Sequence, residues 1–179
     1  IFIISYIIFV MDLCNKNFME VGSNYNDQFY KSLTEGSYSS AKPFVSILNF
    51  VSIKPKKVID VGCGRGPWLK AFADSGSREL VGIDGDWVMQ EDMLDKKIKF
   101  YSIDLSSNVI ENPINQKFDL AMSLEVAEHL KPEQAIPFVN YLTSFSDTIL
   151  FSAAFSGQGG TDHFNERPHS YWAKIFIAN

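Results

Sequence analysis

Cysteine is nearly absent from this chain of 179 residues: Cys14 and Cys63 are the whole complement. Two cysteines cannot build a disulfide framework, and neither lies in a zinc-like cluster, so a reducing, cytoplasmic compartment is the simplest expectation. Basic charge is also short. Sixteen Lys and Arg face twenty-one Asp and Glu, a net charge of −5, which opposes duplex-DNA binding because that affinity comes mostly from neutralised phosphates. Long apolar runs are missing too. The most extended, Ile1 to Met11, would span about 16 Å as a helix against a bilayer core of roughly 30 Å, so no stable membrane insertion is expected. No basic residues precede it and no small-residue cleavage site follows, which speaks against a secretory signal. Residues 1–20 are therefore read as an apolar extension outside the fold argument, with Met11 or Met19 as the expected start. There is no internal repeat, heptad pattern or low-complexity tract.

What is present is a packable chain, 46 % hydrophobic with 15 Phe, enough for one domain with a short extension. Asp27 to Leu33 suits a short helix that Gly36 should stop, and Ser39 or Ser40 can cap a second helix with Phe44, Leu48 and Val51 on one face. After the turn Lys54-Pro55-Lys56-Lys57, short apolar β-branched runs begin to alternate with helical patterns. Strands are predicted at Val58–Val61, Leu80–Ile83, Ile98–Ile103, Phe118–Ser123 and Thr148–Ala153. Pro67 fits the first turn of a helix that ends at Gly76. Pro132 opens another through Phe145, which Pro137 should kink or begin, and a last helix covers Tyr171 to Ile177. Strands that are short, nearly all apolar and separated by helices mark a doubly wound, mostly parallel sheet with helices on both faces.

Three glycines follow the first of these strands, in Asp60-Val61-Gly62-Cys63-Gly64-Arg65-Gly66. A loop at a strand's carboxyl end needs glycines for positive φ and for close approach of a ligand to the backbone. The spacing is G-x-G-x-G, not the G-x-G-x-x-G of a dinucleotide fold, and no lysine follows as in a P-loop. That shape suits a nucleoside-type ligand without a pyrophosphate. Asp84 ends the second strand, where a carboxylate can accept from two ribose hydroxyls. Asp104 ends the third, where it can accept from an adenine amine, with Leu105 and Trp87 flanking the ring. One strand-end Asp is most often a cap or turn residue; Asp60, Asp84 and Asp104 on three successive strands beside the glycine loop make a ligand site the better reading.

These segments, together with Val81-Gly82-Ile83-Asp84, Ile103-Asp104-Leu105 and the stretch Phe118 to Leu130 (FDLAMSLEVAEHL), resemble the class I S-adenosylmethionine-dependent methyltransferases, of the type 11/23-like domain. The likeness covers about residues 40 to 155. It implies the Rossmann-like methyltransferase fold and S-adenosylmethionine as cofactor. By that resemblance Gly62, Cys63, Gly64 and Gly66 lie along the methionine moiety, Asp60 holds the loop and approaches the amino group, and Asp84 binds the ribose. Gly85 and Trp87 lie near the adenine, Asp104 with Leu105 recognises it, and Ser123 sits near the methyl donor. Trp68 either walls the pocket or belongs to the core. The resemblance also implies a helical lid over residues 21–55 and a cofactor-binding domain over 56–179. Because family members continue into a sixth and a seventh, antiparallel, strand, a C-terminal truncation with an open sheet edge is expected.

Methyl transfer from a sulfonium to a hydroxyl or amine calls for alignment and for a group that takes a proton. Glu125-Val126-Ala127-Glu128-His129 follows the fourth strand and offers His129 as the acid–base group with Glu128 orienting it. In similar sequences, including ubiquinone-pathway O-methyltransferases and small-RNA 2′-O-methyltransferases, an E-x-x-E-H segment appears and in some binds a divalent cation. A cation with His163 as a further ligand therefore stays open beside the acid–base reading, as does a structural role with Glu favoured at a helix start; the site is assigned no metal. The loop Gly157 to Glu166 is expected to take part in substrate binding. The expected function is methylation of a small-molecule acceptor through a hydroxyl. The alternatives are a metal-assisted RNA 2′-O-methyltransferase and an inactive cofactor-binding fragment.

Overall fold

A computed structural model describes the backbone of residues 3–4 and 27–179, and side chains from residue 34 onward. The remaining residues of the expected extension and of the start of the lid lie outside the described residues. A parallel sheet forms from β1 (Ile3–Ile4), β2 (Lys57–Val61), β3 (Glu79–Asp84), β4 (Ile98–Ser102), β5 (Leu120–Leu124) and β6 (Ile149–Ser152) in the order β1-β6-β5-β2-β3-β4. All the pairings are parallel. The five predicted strands are all present within a residue or two of their expected bounds. The edge expected to be open, beyond β6, carries Ile3 opposite Leu150 and Ile4 opposite Phe151.

Both faces of the inner strands are covered, which is why those strands read as nearly all apolar, whereas β4 at the edge carries exposed Lys99 and Ser102. On one face Val58, Leu80, Ile98, Leu120, Met122 and Leu150 pack against α1 (Asp27–Phe50) and α2 (Pro67–Asp74), through Ala41, Val45, Leu48, Trp68, Leu69 and Phe72. On the other, Ile59, Val61, Val81, Ile83 and Phe151 pack against α3 (Ala135–Thr143) and α4 (His169–Ala178), through Phe138, Val139, Leu142, Trp172 and Phe176. Val58 and Ile59 thus serve opposite faces, as the two-residue strand period requires.

The helix boundaries differ from expectation chiefly in the first helix. The predicted break at Gly36 does not occur, and α1 runs through both Gly36 and Pro43 as a single helix. Burial of Ala41, Val45 and Leu48 against α2 outweighs the local cost of a helical glycine and proline. Pro67 opens α2 as expected, and Pro137 sits in the first turn of α3, where its missing N–H has no intrahelical acceptor to leave empty. Pro132 begins a short 3₁₀ turn ahead of α3 rather than the helix proper.

Candidate functional site

The sheet order reverses beside β2: β3 and β4 lie to one side, β5 and β6 to the other. A crevice at the carboxyl ends of β2 and β5 follows from that reversal. It gathers the glycine loop after β2 and the Glu125–His129 segment after β5.

Gly62, Gly64 and Gly66 have φ of 86°, 52° and 75°, the left-handed region that glycine enters without penalty. Gly62 and Cys63 donate backbone N–H bonds to the Ile83 carbonyl at 2.8 and 3.0 Å, so the loop folds back over the end of β3. Gly64 N–H then donates to an Asp84 carboxylate oxygen at 2.7 Å, and Gly85 N–H to the other at 2.8 Å. A Cβ on Gly64 would meet nothing within 4 Å, which leaves open space against the loop backbone. Burial raises the Asp84 pKa, while the two amide bonds and the Trp87 side chain pull it down. Asp60 is buried beside it and is pushed well above the ordinary carboxylate range, first by burial and then by Asp84.

Two residues expected at the cofactor, Cys63 and Leu105, and Trp68, for which pocket and core were both open, serve the scaffold with their side chains. Cys63 points inward; its thiol donates to the Gly64 carbonyl at 3.2 Å and rests where a Cβ on Gly82 would otherwise sit. Burial, then Asp60 and Asp84, push that thiol well up. Leu105 is buried in the core with Ile103 and Phe118. Trp68 belongs to the core reading, edge-on to Phe44 with ring centroids 5.6 Å apart. Trp87 is 75 % exposed, and its indole lies against Gly85, where a Cβ would come within 2.2 Å of it. Asp104 follows β4, but its carboxylate accepts from Ser106 N–H and Oγ, the turn role usual for such an Asp, and those bonds hold its pKa down. Ser123 is fully buried on β5 with its hydroxyl lacking a hydrogen-bond partner.

The second half of the site starts at Glu125, whose φ of 57° turns the chain sharply out of β5. Its N–H donates to the Ser152 carbonyl and its carboxylate accepts from Ser152 Oγ at 2.7 Å. Glu128 is 1 % exposed and neither carboxylate oxygen has a hydrogen-bond partner. Burial, then the Glu125 charge, push its pKa up to about 8, against a smaller pull from the nearby Glu128 and Ala154 backbone N–H groups, which fall short of hydrogen-bond geometry. The Glu128 carbonyl accepts from Phe164 N–H and Asn165 N–H, both at 2.9 Å, which ties the glycine-rich loop after β6 to this segment. His129 does not take its orientation from Glu128 as expected. Its Nδ1 bonds to the Asp162 carbonyl at 3.2 Å, because the loop, not the neighbouring side chain, lies against that edge of the ring. Desolvation lowers the His129 pKa, the Asp162 carbonyl opposes this, and His163 lowers it further.

His163 stands edge-on to His129, with ring centroids 4.8 Å apart. One ligand atom from each of Glu128, His129 and His163 lies within 4.8 Å of the others. A buried carboxylate without a donor beside two imidazoles is a donor set that fits a divalent transition cation. Sequence reasoning reached all three residues but missed the holding of His163 by Glu166 and the fit of its ring against Gly160. The run Gly157 to Gly160, six to nine residues before Glu166, was the available signal.

A glycine loop bonded to the acid at the tip of the next strand, at the switch point of a parallel sheet, is the arrangement of a class I S-adenosylmethionine-dependent methyltransferase fold. The chain belongs to the methyltransferase domain family, which it matches over residues 38–144. It is 30 % identical over 109 residues to the mitochondrial ubiquinone biosynthesis O-methyltransferase of Dictyostelium discoideum, a match covering 53 % of this chain and 34 % of that protein. The chain thus spans about a third of that relative's length. Among solved structures it resembles magnesium protoporphyrin IX methyltransferase from Synechocystis PCC 6803 with bound SAH, at 20 % identity and a TM-score of 0.61, covering 92 % of this chain and 81 % of that one. It also resembles the methyltransferase domain of a bacterial Hen1, at 23 % identity and a TM-score of 0.57, covering 77 % and 83 %. Among the described residues no helix is long and apolar enough to cross a membrane.

Proposed function

We propose that this chain binds S-adenosylmethionine between the glycine loop and Asp84 and methylates a hydroxyl of a small-molecule acceptor. The observation that carries the cofactor half is the 2.7 Å bond from Gly64 N–H to Asp84, which sets the side-chain-free loop directly against the strand-end acid. Bound there, the cofactor supplies an electrophilic methyl group on a sulfonium. The Asp84 carboxylate keeps acceptor capacity for ribose hydroxyls, and the open side of Gly64 admits the amino-acid portion without a Cβ in the way.

The acceptor hydroxyl has to shed its proton as its oxygen is alkylated. Two uses of the same groups achieve this. His129, with Nδ1–H committed to the Asp162 carbonyl, offers Nε2 as a base. Alternatively Glu128, His129 and His163 hold a divalent cation, which would lower the hydroxyl's pKa and offset the developing charge. The orphaned Glu128 carboxylate favours the cation, since a buried acid without a donor gains most from a positive charge. The net charge of −5 supports a small acceptor over an RNA chain. The free thiol of Cys63 is in keeping with a reducing, cytoplasmic setting.

Calorimetric titration with S-adenosylhomocysteine tests the first half. Binding is expected, and Asp84→Ala should weaken it at least about tenfold, because hydrogen bonds to a charged group are worth roughly 1.5–3 kcal/mol each. No heat from well-folded protein would remove the reading. For the second half, turnover of phenolic and catecholic acceptors, with short oligoribonucleotides in parallel, is measured with Mn²⁺ and with a chelator. Loss of transfer on chelation supports the cation. Transfer that survives chelation but is abolished in His129→Ala assigns His129 as the base. Cofactor binding without turnover on any acceptor would point to an inactive cofactor-binding chain.

A further inference from the structure

The loop after β6 is built around one carboxylate. Glu166 Oε2 accepts the Gly157 N–H at 2.9 Å, and Oε1 accepts the Gly159 N–H at 2.7 Å and bonds to His163 Nδ1 at 3.0 Å. Gly157 and Gly159 have φ of 87° and 75°, so both amides are aimed by backbone that glycine adopts freely. The His163 ring lies so close to Gly160 that a Cβ there would come within 2.2 Å of it, with the His129 ring on another side. The imidazole is thereby fixed in place and in plane.

A carboxylate that already accepts two amide protons accepts a third from the imidazole, so Nδ1 of His163 is the protonated nitrogen and Nε2 keeps its lone pair. His129 is held the same way, since the Asp162 carbonyl can only accept. Both rings are then in the Nδ1–H tautomer, the less favoured one for a free histidine side chain, and both present Nε2 as a donor. We infer that Glu166 is a positioning residue: it fixes the tautomer and plane of His163 so that Nε2 enters the cluster with Glu128 and His129. The inference rests on the use of that cluster given under Proposed function, and extends it to the residue that holds it ready.

The test reads the proton directly. Imidazole ¹⁵N spectra of the full chain at about pH 8, above the ordinary imidazole range, distinguish protonated from unprotonated ring nitrogens, with His163 assigned by its loss in His163→Asn. The expected result is His163 protonated on Nδ1 in the wild type and on Nε2 in Glu166→Ala. Mn²⁺ alone, titrated by calorimetry, should bind Glu166→Ala some 10- to 100-fold more weakly. Glu166→Gln keeps a carbonyl for the His163 proton and should retain the tautomer with a smaller loss of affinity. A wild-type His163 protonated on Nε2 overturns the inference. So does a folded Glu166→Ala chain that retains both the tautomer and the affinity. Should Glu166→Ala not fold, the wild type and Glu166→Gln decide, and a Gln variant with the proton moved to Nε2 counts against it. Mn²⁺ binding to neither wild type nor variant would defeat the cation reading alone, leaving the tautomer of the wild type and its change in Glu166→Ala to settle the role of Glu166.

Discussion

Glu128 is held in the folded chain with a pKa of about 8 against an ordinary value of 4.5. Across that interval the folded protein keeps a proton the unfolded chain has lost, so the contribution of Glu128 to stability is fully present below about pH 4.5 and is lost as pH rises toward about 8. Thermal melts at about pH 5 and about pH 8 should therefore show a decline that is smaller in Glu128→Gln, which has no proton to lose. An unchanged decline would mean that Glu128 titrates normally. The glycines of the loop divide by the same kind of local reasoning. A Cβ at Gly62 would lie 2.2 Å from Val126 and the φ there is left-handed, so Gly62→Ala should cost about 2–5 kcal/mol of stability, overpacking added to backbone strain. At Gly64 the space is open. Gly64→Ala should cost only about 1–2 kcal/mol, for the left-handed φ, yet weaken S-adenosylhomocysteine binding by filling the space the cofactor needs. Denaturant melts and calorimetry on the two variants separate these effects.

Among the elements, α1 shows where local signals lose. Gly36 and Pro43 each argue for a break, and the helix passes through both because its Ala41, Val45 and Leu48 face is buried on α2. Gly36 is exposed, and a Cβ there would meet nothing, so Gly36→Ala should add about 0.5–1 kcal/mol and raise the melting temperature by roughly 1–4 °C for a chain of this length. A fall would show that the glycine serves some contact its backbone position does not reveal. Pro67 and Pro137 were legible from the sequence because a first-turn proline acts through its own backbone alone. The stop at Gly36 was misread because the competing term is tertiary burial.

At the scale of the whole molecule, the reversal of strand order beside β2 brings residues 62–66 and 125–129 together, Gly62 against Val126, although 58 residues of chain separate them. Cofactor bound there, as proposed, would touch loops from several strands and should stabilise the fold as a unit. At about 100 times its dissociation constant, S-adenosylhomocysteine should contribute about 2.7 kcal/mol and raise the melting temperature by roughly 5–10 °C, a shift that Asp84→Ala should largely abolish. A melting curve indifferent to the ligand would contradict a site shared by those loops.

The sequence by itself determined the order of strands and helices, the parallel character of the sheet and the glycine loop with its three strand-end acids, because each is written in short-range pattern: apolar runs, turn residues and fixed spacings. Only the tertiary structure decided that Cys63, Leu105 and Trp68 face the core, that Asp84 is bonded to Gly64, and that Glu128 is left without a partner next to His129 and His163. Which side of a residue meets solvent, a neighbour or a ligand depends on elements far away in the chain, and no local pattern encodes that.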